Sequence, residues 1–137
     1  MKLLCLLLLL FSVRAKAQNI LVSSGNLFEG EPYLAVDPQN SNHLVAAWMG
    51  FQLNQKIVIK SVVSTDGGSS WSAPIWQAHQ QTGNSSADVS LGFDLNGNLY
   101  MAYIDYDNVN FSNGAVICRT STDGGLSWGA AVVARSM

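Results

Sequence analysis

Cysteine and positive charge are both scarce in this chain. It has two cysteines among 137 residues, and Cys5 lies in an N-terminal segment that we expect to be removed, which leaves Cys118 alone. An internal disulfide is then excluded, and Cys118 is predicted to be a small buried apolar residue. Without residues 1–17, four basic residues stand against nine acidic ones, a net charge of −5. That balance argues against nucleic acid or an anionic membrane surface as a partner.

The N-terminal segment has the pattern of a secretory signal peptide. The basic start Met1-Lys2 precedes an apolar run, Leu3–Val13, and Ala15-Lys16-Ala17 resembles a small-residue cleavage site. We predict a signal peptide over residues 1–17, a mature chain that begins at Gln18, and a secreted, periplasmic or extracellular location. The apolar run is about half as long as a membrane-spanning helix, so no membrane span is expected.

A sustained helical period is also lacking. Short runs rich in Val, Ile, Leu, Tyr and Trp alternate with clusters of Gly, Asn, Asp and Ser, a pattern typical of an all-β meander. The polar segment Gln80–Ala87 is predicted to connect two sets of strands. The predicted strands are near Ile20–Ser23, Tyr33–Asp37, Leu44–Met49, Lys56–Ser64, Trp71–Gln77, Val89–Asp94, Leu99–Ile104, Ala115–Ser121 and Ala130–Ala134.

The sequence does contain a repeated octapeptide. Residues 64–71, STDGGSSW, return as residues 121–128, STDGGLSW, at an offset of 57. Upstream, Asp37 and Asp94 each lie 29 residues before the aspartate of their octapeptide. The segments His43–Trp48 and Asn98–Tyr103 also correspond, and the loops before them differ in length by two residues. A fixed offset of this size indicates a repeat architecture.

Each octapeptide has the composition of a self-stabilised turn between two strands. Asp-Gly is a strong hairpin signal, and the aspartate can accept hydrogen bonds from N–H groups of its own turn. The glycines supply positive φ without steric cost, and the tryptophan can begin the next strand and pack back over the turn. We therefore assign structural roles to Ser64, Asp66, Gly68, Trp71, Ser121, Asp123, Gly125 and Trp128.

The pattern Ser-x-Asp-x-Gly-x-x-Trp resembles the Asp-box, or BNR repeat, of the sialidase superfamily and other Asp-box β-propellers. The resemblance implies that each octapeptide joins the third and fourth strands of a blade. The predicted fold is all-β, with about two four-stranded antiparallel blades of an incomplete sialidase-like β-propeller, over residues 31–77 and 88–134. Two blades do not close a ring, so we expect residues 18–137 to be part of a longer propeller or to close by oligomerising.

A complete sialidase site is not expected within the chain. The resemblance implies three arginines that bind a substrate carboxylate, a Tyr–Glu pair and an aspartate acid/base, but the mature chain retains only Arg119 and Arg135. Near residues 28–33, where the family carries an early arginine, this chain has Glu29 and Glu31. We predict no catalytic residues, no cofactor site and no metal site.

The remaining candidate residues are mainly acidic. Glu29 and Glu31 could form a carboxylate pair, although solvated loop acids are the simpler interpretation, and Asp88 occupies the equivalent place in the second repeat. One loop offers oxygen ligands of the kind that calcium favours but lacks the glycine and terminal glutamate of an EF-hand. The oxygen-bearing residues of this loop are Asp105, Asp107, Asn108 and Asn110. His43 and His79 are too far apart in sequence to suggest a metal pair.

Two functions follow as alternatives. The first is a secreted propeller portion with a structural role or a role in binding a glycan or protein ligand, without a complete active site. The second is the N-terminal part of a sialidase-like exo-glycoside hydrolase whose catalytic residues lie beyond Met137. The fold cannot separate them, because propellers carry many functions.

Overall fold

The computed structural model describes residues 19–23, 27–53, 56–111 and 113–137, so the predicted signal peptide lies outside the described residues. Within these ranges the chain forms strands and turns and no helix, which confirms the all-β prediction. None of the described residues belongs to a helix that could cross a membrane.

Eight strands form two four-stranded antiparallel sheets, and strands adjacent in sequence pair with each other. The first sheet consists of β1 (Glu29–Asp37), β2 (Asn40–Phe51), β3 (Ile57–Ser64) and β4 (Ile75–Trp76). The second sheet consists of β5 (Ser85–Phe93), β6 (Leu99–Tyr106), β7 (Ala115–Ser121) and β8 (Val132–Ser136). The described strands do not close into a ring or barrel.

Several predicted boundaries were wrong. Ile20–Ser23 forms no strand, and the strand predicted over Ala130–Ala134 lies at Val132–Ser136. Ser85–Ala87, predicted to be part of the connection, begin β5. They can do so because β6 extends to Tyr106, which pairs with Ser85.

The strand predicted over Trp71–Gln77 contracts to the two residues of β4. Ser72 explains why β4 is short and begins only at Ile75. Its backbone N–H donates to the Val63 carbonyl at 2.8 Å, and its hydroxyl accepts a hydrogen bond from the Val63 N–H at 3.0 Å. Because a side chain replaces the backbone acceptor, regular pairing with β3 begins only at Ile75, opposite Ser61.

The two sheets pack face to face around one apolar core. Side chains alternate between the faces of a strand, so every second residue of β2, β3, β6 and β7 can point into it. The fully buried members of this core are Val45, Ala47, Ile59, Leu99, Met101 and Ile117. Burying one large aliphatic side chain contributes roughly 1.5–3 kcal/mol, so this interface is a major source of stability.

The octapeptide turns occupy equivalent places in the two sheets, and we call them the first corner (residues 64–71) and the second corner (residues 121–128). The second corner contacts the first sheet at two points, which together form the corner contact. The Trp128 indole N–H donates to Ser61 Oγ at 3.1 Å. His43 Nε2 lies 2.8 Å from the Gly124 carbonyl oxygen. The corner therefore ends β7 and also fixes the second sheet against the first.

We expect Gly124→Ala to destabilise the protein more than Gly67→Ala, although both glycines have a φ of 71°. Both variants strain the backbone by about 1–2 kcal/mol. At Gly124 the added methyl group would also overlap the His43 ring, whereas at Gly67 it would lie 3.3 Å from Asn42 Oδ1. The overlap should cost a further ~1–3 kcal/mol. Thermal unfolding of the matched pair measures the difference, and equal midpoints would contradict the corner contact.

Candidate functional site

The first corner satisfies its own polar groups. Ser64 Oγ donates to Asp66 Oδ1 at 2.8 Å and accepts a hydrogen bond from the Gly68 N–H at 2.8 Å. Asp66 Oδ1 also accepts from the Ser70 N–H at 2.8 Å, and Oδ2 accepts from the Ser70 hydroxyl at 2.6 Å. The aspartate is therefore used by the turn itself.

The second corner repeats this geometry. Ser121 Oγ donates to Asp123 Oδ1 at 2.7 Å and accepts from the Gly125 N–H at 2.8 Å, and the Ser127 N–H donates to Asp123 Oδ1 at 2.9 Å. The second glycine has a φ of 89° in the first corner and 93° in the second. Both values lie in the left-handed region that favours glycine. The geometry of both corners fits the structural roles predicted for them.

The hydrogen bonds of each corner stabilise a charged carboxylate. The Ser70 side chain, followed by the Ser70 backbone and the Ser64 hydroxyl, lowers the pKa of Asp66 to about 2. The Ser127 side chain, followed by the Ser121 hydroxyl, lowers the pKa of Asp123 to about 2. Because protonation would weaken these bonds, both corners favour the ionised form.

Glu31 and Asp88 lie near the starts of β1 and β5, at the end of the sheets opposite the corners, and form a carboxylate pair. Both have positive φ, 53° and 56°, at irregular positions in β1 and β5 where the strand register shifts. A side-chain hydrogen bond with Asp88 is the main cause that raises the pKa of Glu31, with smaller contributions from burial and from the charge of Asp88. Such bulges redirect side chains, and here they bring equivalent residues of the two repeats together.

Glu29 takes no part in this pair, so it does not form the carboxylate pair with Glu31 that the sequence allowed. Glu29 Oε1 accepts a hydrogen bond from Lys60 Nζ at 2.6 Å, and its Oε2 accepts one from the Trp48 indole. Nor is Glu29 a solvated loop acid, because its side chain is only 20% exposed. It neutralises the buried lysine on the outer face of the first sheet.

A second polar site surrounds Asp105 at the end of β6. The side chain of Asp105 is fully buried, and its Oδ2 accepts a hydrogen bond from the Gln80 N–H and lies 3.9 Å from His79 Nδ1. Its Oδ1 has no hydrogen-bond partner among the described residues. Three further buried polar atoms have no hydrogen-bond partner among the described residues, namely Gln77 Nε2, His79 Nε2 and Ser85 Oγ.

A cavity of about 310 Å³ opens beside Asp105. Polar side chains of the connection between the sheets line it, together with apolar residues near the end of β8. The lining includes Gln80, Gln81, Asn84, Asp105, Val133 and Met137. Burial lowers the pKa of His79, which favours the neutral ring despite the nearby carboxylate. A buried carboxylate oxygen without a protein partner is costly, so this cavity is suited to a ligand that donates hydrogen bonds.

The oxygen-rich loop is split in the structure. Asp105 belongs to β6, whereas Asp107 accepts hydrogen bonds from the Val109 N–H and the Asn110 side chain, both at 2.9 Å. The Val109 N–H is the main cause that lowers the pKa of Asp107. Among the described residues, no group of three or more His, Cys, Asp or Glu side chains is placed to hold a metal ion.

The Arg119 side chain is held by hydrogen bonds within the protein. Its Nε donates to the Tyr103 hydroxyl at 3.0 Å, and its other nitrogens donate to the carbonyls of Gly129 and Ala78 at 2.9 and 3.0 Å. Arg135 lies in β8, at the edge of the second sheet. Cys118 is half-buried on the outer face of that sheet, so the burial predicted for it is only partial.

The sequence did not reveal the contacts of His43, Ser61 and His79 or the burial of Asp105. The repeat offered one signal, because His43 stands where the second repeat has Asn98, and Ser61 where it has Cys118. Their contacts join segments separated by up to 81 residues and depend on how the sheets stack.

Comparison with known proteins adds no assignment. No protein-family model matches the chain, and no curated protein matches it.

We expect the stabilising effect of the corner aspartates to disappear in acid. A depressed pKa contributes stability above the ordinary value of 3.8, and this contribution is lost as pH falls towards about 2. Asp123→Asn should therefore unfold at a lower temperature than the unmodified chain near neutral pH, and the two should converge between about pH 4 and pH 2. Ser127→Ala, which keeps the carboxylate but removes its strongest hydrogen bond, should raise the pKa of Asp123 in an NMR titration. A pH-independent difference between the unmodified chain and Asp123→Asn would contradict this account.

Proposed function

We propose that this chain is a secreted portion of an Asp-box β-propeller that binds a glycan or protein ligand and has no self-sufficient active site. Each octapeptide lies between the third and fourth strands of a four-stranded antiparallel sheet, where the resemblance requires it. The two sheets stack face to face, as adjacent blades do. These features support the proposal without assigning a ligand.

The corner contact is the observation that carries the propeller part of the proposal. The second corner reaches the preceding sheet through Trp128 and Gly124, and the same octapeptide occurs in that preceding sheet. A turn that both closes its own sheet and contacts the one before it can be repeated from sheet to sheet. Such nearest-neighbour contact is how repeat proteins are stabilised.

Ligand binding is favoured over catalysis because Arg119 and Glu29 are already hydrogen-bonded to other groups of the protein. Arg119 donates to three protein oxygens, and Glu29 binds Lys60 and Trp48. The cavity beside Asp105 combines a buried carboxylate with amide side chains, which suits a sugar hydroxyl or another neutral donor. We place the ligand there.

One observation favours the alternative, the N-terminal part of a sialidase-like exo-glycoside hydrolase with catalytic residues beyond Met137. Hydrogen bonding with Asp88 raises the pKa of Glu31, as for a general acid. Both carboxylates are exposed, and among the described residues no arginine forms a hydrogen bond or an ion pair with either of them. The pair therefore supports the alternative only as part of a larger site.

We expect the chain to bind carbohydrate without hydrolysing it. An array of neutral and sialylated oligosaccharides is the binding probe, and a fluorogenic sialoside is the turnover probe. Asp105→Asn should reduce the array signal at least tenfold, because an amide offers one acceptor oxygen where the carboxyl group offers two, whereas Asp94→Asn, in the turn before β6, should not. Turnover of the sialoside by this chain would refute the non-catalytic proposal. An Asp105→Asn variant that is folded and binds normally would refute the placement of the ligand.

We also propose that residues 1–17 direct export and are then removed. N-terminal sequencing of the chain recovered from the medium or periplasm should begin at Gln18. Replacing Leu7 and Leu8 with Lys should retain the chain in the cytoplasm, because charge interrupts the apolar run. Recovery of an exported chain that still begins at Met1 would contradict cleavage.

A further inference from the structure

A second cavity adjoins the one beside Asp105. It has a volume of about 290 Å³, and Tyr106 and Phe111 form its aromatic wall. We call the cavity beside Asp105 the polar cavity and this one the aromatic cavity. Three residues line both and mark where the two cavities meet, namely Asn113, Gly114 and Met137.

Phe111 is apolar but points into solvent. It is 78% exposed, and its ring stacks on the Tyr106 ring with the centroids 6.1 Å apart and an angle of 20° between the planes. Its N–H donates to the Asp107 carbonyl at 2.8 Å, and its φ of 52° is unusual for a bulky residue. The loop therefore adopts a strained backbone conformation at a residue whose ring keeps one face open.

The two cavities lie on opposite faces of the second sheet and meet over its end. Asp105 and Tyr106 are neighbours on β6, so their side chains point to opposite faces. Gly114 directly precedes β7 at the junction. A methyl group there would overlap the end of the Met137 side chain and lie 3.5 Å from Tyr106 Cβ, so the glycine keeps the junction open. A ligand that occupies both cavities is therefore extended and passes Gly114.

The polar cavity matches groups that both donate and accept hydrogen bonds. The buried Oδ1 of Asp105 needs a donor, whereas the amide side chains of Gln80 and Asn84 offer donors as well as acceptors. A hydroxyl group satisfies both kinds of partner. An ammonium group only donates, so it would leave the amide N–H groups without an acceptor.

Charge further restricts the ligand. No Lys or Arg is present among the described residues that line the two cavities. A carboxylate or sulfate group of a ligand would therefore meet the Asp105 carboxylate with no basic residue to offset the repulsion. The ligand that fits is neutral.

The aromatic cavity matches a sugar ring. One face of a pyranose carries C–H groups, which pack on an aromatic ring and are thereby removed from water. The open face of Phe111 offers such a surface next to the hydrogen-bonding groups of the polar cavity. Apolar and polar surfaces side by side are the usual composition of a small-ligand site.

We propose that the two cavities are adjacent subsites for a neutral oligosaccharide. One sugar ring donates a hydroxyl hydrogen to Asp105 in the polar cavity, and the next ring packs on Phe111 in the aromatic cavity, with the linkage passing over Gly114. Acidic sugars are excluded from both subsites. This inference rests on the ligand placement in the proposed function, to which it adds a second subsite and a charge preference.

Phe111→Ala tests the second subsite. Titration calorimetry of the full exported chain uses neutral disaccharides of glucose, galactose, mannose and N-acetylglucosamine, together with the parent monosaccharides. Phe111→Ala should weaken disaccharide binding about tenfold and leave monosaccharide binding unchanged, because only the second ring reaches Phe111. Phe111→Tyr should bind as the unmodified chain does. Val109→Ala, at an equally exposed residue of the same loop that lines neither cavity, should change nothing.

Uronic acids test the charge preference. Replacing glucose, galactose or mannose by its uronic acid should abolish binding, whereas cadaverine, a diamine, should not bind. Uronic acids that bind as well as the neutral sugars, or cadaverine bound in place of them, would overturn the proposal. So would a Phe111→Ala variant with normal disaccharide binding, or a Val109→Ala variant that is weakened equally. Circular dichroism confirms that each variant is folded.

The second subsite and the proposed function can fail separately. If Asp105→Asn abolishes monosaccharide binding while Phe111→Ala affects no sugar, the second subsite is refuted and the proposed placement of the ligand stands. If no saccharide of any length binds the unmodified chain, both are refuted.

Discussion

The hydrogen bond from Ser121 Oγ to Asp123 shapes the second corner, which adds two polar contacts to the apolar core that holds the second sheet on the first. The same hydroxyl accepts the Gly125 N–H, so one side chain determines the path of both glycines. The Gly124 carbonyl and the Trp128 indole of this corner contact the first sheet. A local turn thus determines a long-range contact.

The two ends of β7 lie beside different kinds of structure. The corners lie where β7 ends, at Ser121 opposite Leu99, and they serve the packing of the sheets. Asp105 lies where β7 begins, opposite Ala115, and leaves a buried oxygen without a partner. Stable self-satisfied turns at one end allow costly polar groups at the other, as is common where a rigid scaffold carries a binding site.

The two repeats use their faces differently. Leu91 is buried between the sheets, whereas its counterpart Leu34 is 55% exposed on the outer face of the first sheet, and Val36 is 48% exposed there. A covering sheet, whatever its source, would remove that surface from water, and the hydrophobic effect provides the driving force.

The sequence by itself determined the all-β fold, the extent of β7 and the two corners, because alternation of apolar residues and turn chemistry are local properties. It could not determine that Glu31 pairs with Asp88, that Ser61 receives the Trp128 indole, or that Asp105 is buried with an unpartnered oxygen. These contacts join segments 57, 67 and 25 residues apart, counting Asp105 with Gln80. Only the stacking of one sheet on another brings such segments together, since neither sheet alone specifies the face that its neighbour covers.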